Sequence, residues 1–126
     1  MFSHIMVGAN DLEQSKRFYD AVLGTLGVGP ATAANDRYFY FTPQGGFAIT
    51  RPINGEPATF ANGGTIAFNA KDGETIDAWH AAGIANGGTT CEDPPGIREG
   101  AFGKIYLGYL RDPAGNKICA IHRMGK

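Results

Sequence analysis

The sequence predicts an α+β fold of two βαβββ modules, and three features predict it. His4 to Gly27 lies over Thr65 to Gly88 without a gap at a shift of 61 positions. Ile5 then meets Ile66, Ala9 meets Ala70, Asp11 meets Asp72, Glu13 meets Glu74, Ala21 meets Ala82 and Gly27 meets Gly88. Each copy reads as strand, cap and helix, and each is followed by strand-forming runs around a turn signal, Pro43-Gln44-Gly45-Gly46 in the first and Asp112-Pro113-Ala114-Gly115 in the second. Two copies are too few for a solenoid, whose units need at least about three neighbours. The modules must therefore close on each other within a single domain, residues 1–126: module one 1–51, a linker 52–63 and module two 64–126.

In module one, Phe2 to Gly8 alternates as a strand should, and Asn10-Asp11 supplies a helix cap, with Asp11 and Gln14 spaced as in a capping box. Leu12, Ser15, Phe18, Tyr19, Val22 and Leu23 follow the i, i+3, i+4, i+7 rule of a buried helical stripe. Gly24 is expected to end that helix in a left-handed cap. Thr25 to Thr32 is a poor strand because of its glycines and Pro30, whereas Arg37 to Thr42 (RYFYFT) and Phe47 to Arg51 (FAITR) form a hairpin. In module two, Gly64 to Ala70 is a strand and Asp72 a cap, and Ile76, Trp79, His80 and Gly83 form the stripe of a helix stopped by Gly87-Gly88. Thr89 to Cys91 is a short edge strand and Glu92 to Gly103 a long loop. A loop of about 12 residues suits a lid or binding segment. Lys104 to Arg111 and Asn116 to Arg123 form the closing hairpin.

Composition excludes several function classes. Lys+Arg 11 balances Asp+Glu 12 and no like-charge run exceeds a pair, so there is no electrostatic footprint for nucleic acid or an anionic membrane. No apolar run approaches the ~20 residues of a membrane span, and MFSHIMV has no signal-peptide pattern, so a soluble cytoplasmic protein is expected. Cys91 and Cys119 form no CxxC pair and are read as free thiols.

A strand headed by His4, the helix DLEQSKRFYDAVLG, a central restart and the closing RDPAGNKI hairpin together resemble the vicinal oxygen chelate superfamily, the glyoxalase, bleomycin resistance and extradiol dioxygenase group. The resemblance covers essentially the whole chain. It implies a curved mixed sheet around a cup with helices outside, metal ligands pointing into the cup from the first and last strands of each module, and a homodimer binding a small molecule. Carried onto this chain, the ligand positions are His4, Ala48, Thr65 and Cys119. Ala48 cannot coordinate, a hydroxyl at Thr65 is a poor ligand, and catalytic zinc normally takes three protein ligands. His4 is thus the one expected metal ligand, toward a divalent ion such as Ni, Mn, Zn or Fe.

Strand parity places further residues. If His4, Thr65 and Cys119 face the cup, Met6, Ala67, Asn69, Lys117 and Ile121 do too, while Ile5, Val7, Ile66, Phe68, Ile118, Ala120 and His122 face the helices. Tyr106 and Tyr109 have opposite parity, so at most one lines the cup. Thr65, Asn69, Arg51 and one of these tyrosines are the candidate ligand contacts, and Arg51, Arg98 and Arg111 are placed to hold a carboxylate or phosphate. Three functions compete: a degenerate-site protein binding an aromatic or amphipathic compound, which the aromatic walls favour; a metal-dependent lyase, isomerase or dioxygenase; and a metal-free enzyme using His4 and Cys119 as base and nucleophile. For Cys119 an inert buried thiol is the favoured reading.

Overall fold

The computed structural model describes residues 1–125. Its elements are β1 (His4–Gly8), α1 (Leu12–Thr25), β2 (Thr32–Ala34), β3 (Arg37–Thr42), β4 (Gly45–Thr50), β5 (Ile66–Asn69), α2 (Gly73–Ala85), β6 (Thr89–Thr90), β7 (Gly96–Gly100), β8 (Gly103–Arg111) and β9 (Lys117–Arg123). The strands form two mixed sheets, ordered β1-β4-β3-β2 and β5-β9-β8-β6, with β7 also paired to β8. In each sheet the first strand runs parallel to the last strand of its module: β1 lies on β4 and β5 on β9. Among the described residues no helix is long and apolar enough to cross a membrane.

The two helices start alike. Asp11 accepts the amide of Gln14 (3.0 Å) and Asp72 that of Thr75 (2.8 Å), each satisfying an otherwise orphaned N–H. The stripe of α1 is buried as its spacing predicts, and Ile76, Trp79 and Gly83 are buried on α2, with His80 only partly covered. The end of α1 differs from expectation: the helix runs past Gly24, and Gly27 takes the left-handed conformation (φ 87°), with the amide of Val28 bonded to Leu23 O. α2 stops at Gly87-Gly88 as expected, with Gly87 left-handed (φ 96°) and the amide of Gly88 bonded to Gly83 O.

Two other segments depart from the sequence reading. The strand expected over 25–32 is displaced to β2, joined to β3 by Asn35 and Asp36, whose positive φ values (52° and 60°) suit a tight hairpin turn. The expected loop 92–103 contains β7. Pro94 and Pro95 cannot donate to a ladder, so they split one edge strand into β6 and β7 along β8. The linker is a strap. The side-chain amide of Asn10 bonds both backbone groups of Ala58 (3.2 and 2.7 Å), and Phe60 lies 5.0 Å under the Arg111 guanidinium.

Both helices and the helix-facing side of both sheets share one core that includes Phe18, Tyr19, Tyr40, Phe47, Ile49, Trp79, Leu110 and Ile118. The helices meet at Gly83, where a Cβ would lie 2.3 Å from Leu110 and 3.2–3.3 Å from Phe18 and Val22. The modules are locked by a buried polar knot. Asp112 accepts the Tyr19 hydroxyl (2.6 Å), the amides of Ala114 and Asn116 and the Asn116 side chain, and Asn116 also donates to Gly8 O (3.0 Å). Replacing Tyr19 by Phe removes one donor from a buried carboxylate. The expected cost is about 1–3 kcal/mol, read as a lower urea midpoint at unchanged m-value; an unchanged midpoint would show the knot to be dispensable.

Candidate functional site

The side of each sheet away from the helices is where the candidate residues collect. On the first sheet the ladders place three rows across β3, β4 and β1: Phe41, Gly46 and His4; Phe39, Ala48 and Met6; Arg37, Thr50 and Gly8. A Cβ built on Gly46 would lie 3.3 Å from His4 Cβ and 3.6 Å from the Phe41 ring, which confirms that the two side chains stand on either side of a bare backbone. Ala48 is fully covered between its taller neighbours. The result is a short trough floored by Gly46 between Phe41 and His4; it is closed at Ala48, and Ala58 of the linker lies over Gly8 in the last row. The rings of Phe39 and Phe41 are parallel to within 3° at 5.7 Å, and Phe41 is 68% exposed. His4 is exposed, with Nδ1 3.0 Å from Ser3 Oγ.

On the second sheet Ala67, Cys119 and Tyr109 form one row, with Lys117 in the next. Tyr109 is therefore the tyrosine on this face. Tyr106 points to α2 and donates to Asp77 (2.7 Å). His122 lies opposite Tyr106 in the ladder and its Nδ1 is 3.2 Å from Ala70 O, away from Cys119. Lys117 pairs with Glu92 and sits 4.8 Å over the Tyr109 ring, and Glu92 holds a left-handed conformation (φ 56°). Cys119 is 3% exposed, and burial, with the Glu92 carboxylate next, pushes its thiol up to about 11.

The four positions that the resemblance marks for metal are not brought together as a donor set. His4 and Ala48 are on the first sheet and Cys119 on the second, and Thr65 is exposed just ahead of β5. Among the described residues no group of three His, Cys, Asp or Glu is placed to hold a metal. Of the other candidates, Asn69 is exposed and lines a cavity of about 670 Å³ between the modules, Arg98 bonds Asp93 O and Pro94 O, and Arg111 bonds Gly115 O. Arg51 and Arg37 both line a cavity of about 290 Å³ beside the start of α1.

The cavity of about 670 Å³ lies between the modules, against Ile5, Leu26, Tyr40, Phe47, Phe68 and Asn69. It touches neither His4 nor Cys119. The trough was hidden in the sequence because five aromatic or charged residues in a row, 37–41, do not declare which alternate set a helix will cover. The hydroxyl of Tyr40 on Asp20 (2.7 Å) decides it.

A thiol raised by burial favours the fold while protonated. That contribution is complete below its ordinary value of 9.0 and is lost as pH rises through about 11. At pH 8 iodoacetamide should label Cys91, which is only partly buried, well ahead of Cys119, whose rate should climb with a midpoint near 11. Rapid labelling of Cys119 at neutral pH, followed by mass spectrometry, would restore it as a nucleophile.

Comparisons agree with this architecture. Residues 1–120 match the family model described as Glyoxalase/Bleomycin resistance protein/Dioxygenase superfamily. A glyoxalase/bleomycin resistance protein from Albidiferax ferrireducens T118 is 69% identical, covering 98% of this chain and 99% of its own, with a TM-score of 0.96. A glyoxalase-related enzyme from Fulvimarina pelagi is 21% identical (96% and 86% covered, TM-score 0.74). A lactoylglutathione lyase from Agrobacterium tumefaciens is 20% identical (96% and 92% covered, TM-score 0.66), so the likeness to these two is one of fold. Among curated proteins no match is found. With the family model spanning nearly all of a chain built from two βαβββ modules, this protein belongs to the glyoxalase/bleomycin resistance protein/dioxygenase superfamily.

Proposed function

We propose that this protein binds a small aromatic or amphipathic compound in the cup and does so without a catalytic metal. The donor set carries the reading: of His4, Ala48, Thr65 and Cys119, one side chain has no donor atom, one is a hydroxyl outside its strand, and one is a buried thiol that is protonated at neutral pH. His4 alone remains a good ligand for a divalent ion. In the trough, His4 offers a hydrogen bond beside apolar walls, the usual make-up of a small-molecule site. Two free thiols suit a reducing, cytoplasmic setting.

Metal analysis tests this directly. After loading with Ni, Mn, Zn or Fe and desalting, well under one equivalent should remain. One equivalent that disappears in His4→Ala would overturn the reading in favour of a metal-dependent lyase, isomerase or dioxygenase.

The assembly we propose is a homodimer in which the trough of one copy meets the second sheet of the other. Both sheets turn their helix-facing sides into one core, so their opposite faces look outward and each lacks a facing wall. Both β1 and β5 are edge strands, and Phe41 (68%) on the first sheet and Phe102 (94%) in the β7–β8 turn are exposed apolar residues. Sedimentation velocity should give twice the chain mass at micromolar concentration. A monomer at high micromolar concentration would remove this part.

A further inference from the structure

We propose that residues 91–95 form a flap latched over the second sheet by the Lys117–Glu92 ion pair, and that opening this latch uncovers Tyr109 and the Cys119 thiol. The device goes beyond the ligand-binding reading, and its test needs no ligand. The last rung of β6 joins Thr90 to Leu110, and the first rung of β7 joins Gly96 to Leu107. Residues 91–95 of the edge therefore pass opposite only Gly108 and Tyr109 of β8, and the surplus must leave the ladder as a bulge. Pro94 and Pro95 have no amide hydrogen with which to rejoin it. Pro95 closes the base of the bulge at Gly108, where a Cβ would lie 3.0 Å from Pro95 Cγ.

One side chain reaches across the sheet to hold that bulge. Lys117 starts on β9, passes over the Tyr109 ring of β8 (4.8 Å) and pairs with Glu92 on the far side. Tyr109 thus lies beneath the pair, and Cys119, its ladder partner, is 3% exposed beside it. Arg98 bonds Asp93 O and Pro94 O, but it stands on the same edge and shapes the flap from within. Among the described residues, the Lys117–Glu92 contact is the one side-chain hydrogen bond or ion pair joining 91–95 to β8 or β9. Two features make the latch reversible. Glu92 holds a left-handed backbone (φ 56°), which a residue with a Cβ disfavours, so the closed flap is strained. The pair is also partly exposed, its side chains at 23% and 47%, and a pair in such a setting contributes little. The closed flap is therefore only slightly favoured.

The test is the rate at which iodoacetamide labels Cys119 at pH 8, mapped by mass spectrometry, in the wild type, Glu92→Gln and Lys117→Met. Next to burial, Glu92 raises the Cys119 pKa and Lys117 lowers it. Loss of charge alone would therefore speed labelling in Glu92→Gln and slow it in Lys117→Met. Opening of the flap speeds both, by about three- to ten-fold, while the urea midpoint stays near that of the wild type. The wild-type protein gives a second arm: salt at about 1 M, where the Debye length is about 3 Å, should speed Cys119 labelling about two-fold. An unchanged or slower rate in Lys117→Met at a wild-type urea midpoint would overturn the latch. Should either variant lower that midpoint, the salt arm decides, and a wild-type rate indifferent to salt overturns the latch in the same way.

Discussion

The interaction on which the rest of this structure depends is the buried carboxylate of Asp112. It sits in the turn between β8 and β9, 4% exposed, and its oxygens take donors from its own turn, from Tyr19 of α1 and from Asn116. Asn116 passes the connection to Gly8 O at the end of β1. A buried charge is costly unless its acceptor positions are filled, and here they are filled by groups from both modules. The same bonds that solvate the carboxylate therefore hold module one against module two. The DPAGN run is thus structural: its acid, amide and turn residues join the two modules.

That junction also sets how the sheets face. With Tyr19 and Gly83 drawing the helices together, each sheet must present its apolar side inward. The opposite sides are left open, and this governs what the protein can do. On the first sheet the open side has a bare Gly46 between Phe41 and His4. On the second it carries a buried thiol, Tyr109 and a lysine paired with Glu92. Among the described residues neither face brings together three His, Cys, Asp or Glu side chains able to hold a metal.

Much of this was legible beforehand, for reasons that are local. Helical spacing depends only on the 3.6-residue repeat, so the six buried positions of α1 followed from the order of residues. The Asp caps followed from the chemistry of four unpaired amides. Period-two alternation separated Tyr109 from Tyr106 and Cys119 from His122 without a coordinate. What escaped depended on distant partners. The left-handed stop of α1 is Gly27 and not Gly24, with the amide of Val28 bonded back to Leu23 O. Residues 96–100 became β7 because β8 offered a free edge, which no property of Gly96 to Gly100 announces.

The sequence by itself determined the two modules, their caps, the inward stripe of α1 and the alternation that sets Tyr106 apart from Tyr109 and Cys119 apart from His122. These properties follow from the stereochemistry of neighbouring residues and are the same wherever the element sits. Only the tertiary structure decided that His4 and Cys119 belong to separate sheets and that Phe39 and Phe41 rather than Tyr38 and Tyr40 lie on the side away from the helices. Those outcomes turn on contacts between segments tens of residues apart, such as Tyr19 with Asp112 and Asn116 with Gly8, where the free energy of burying polar groups in pairs, and not local spacing, selects the arrangement.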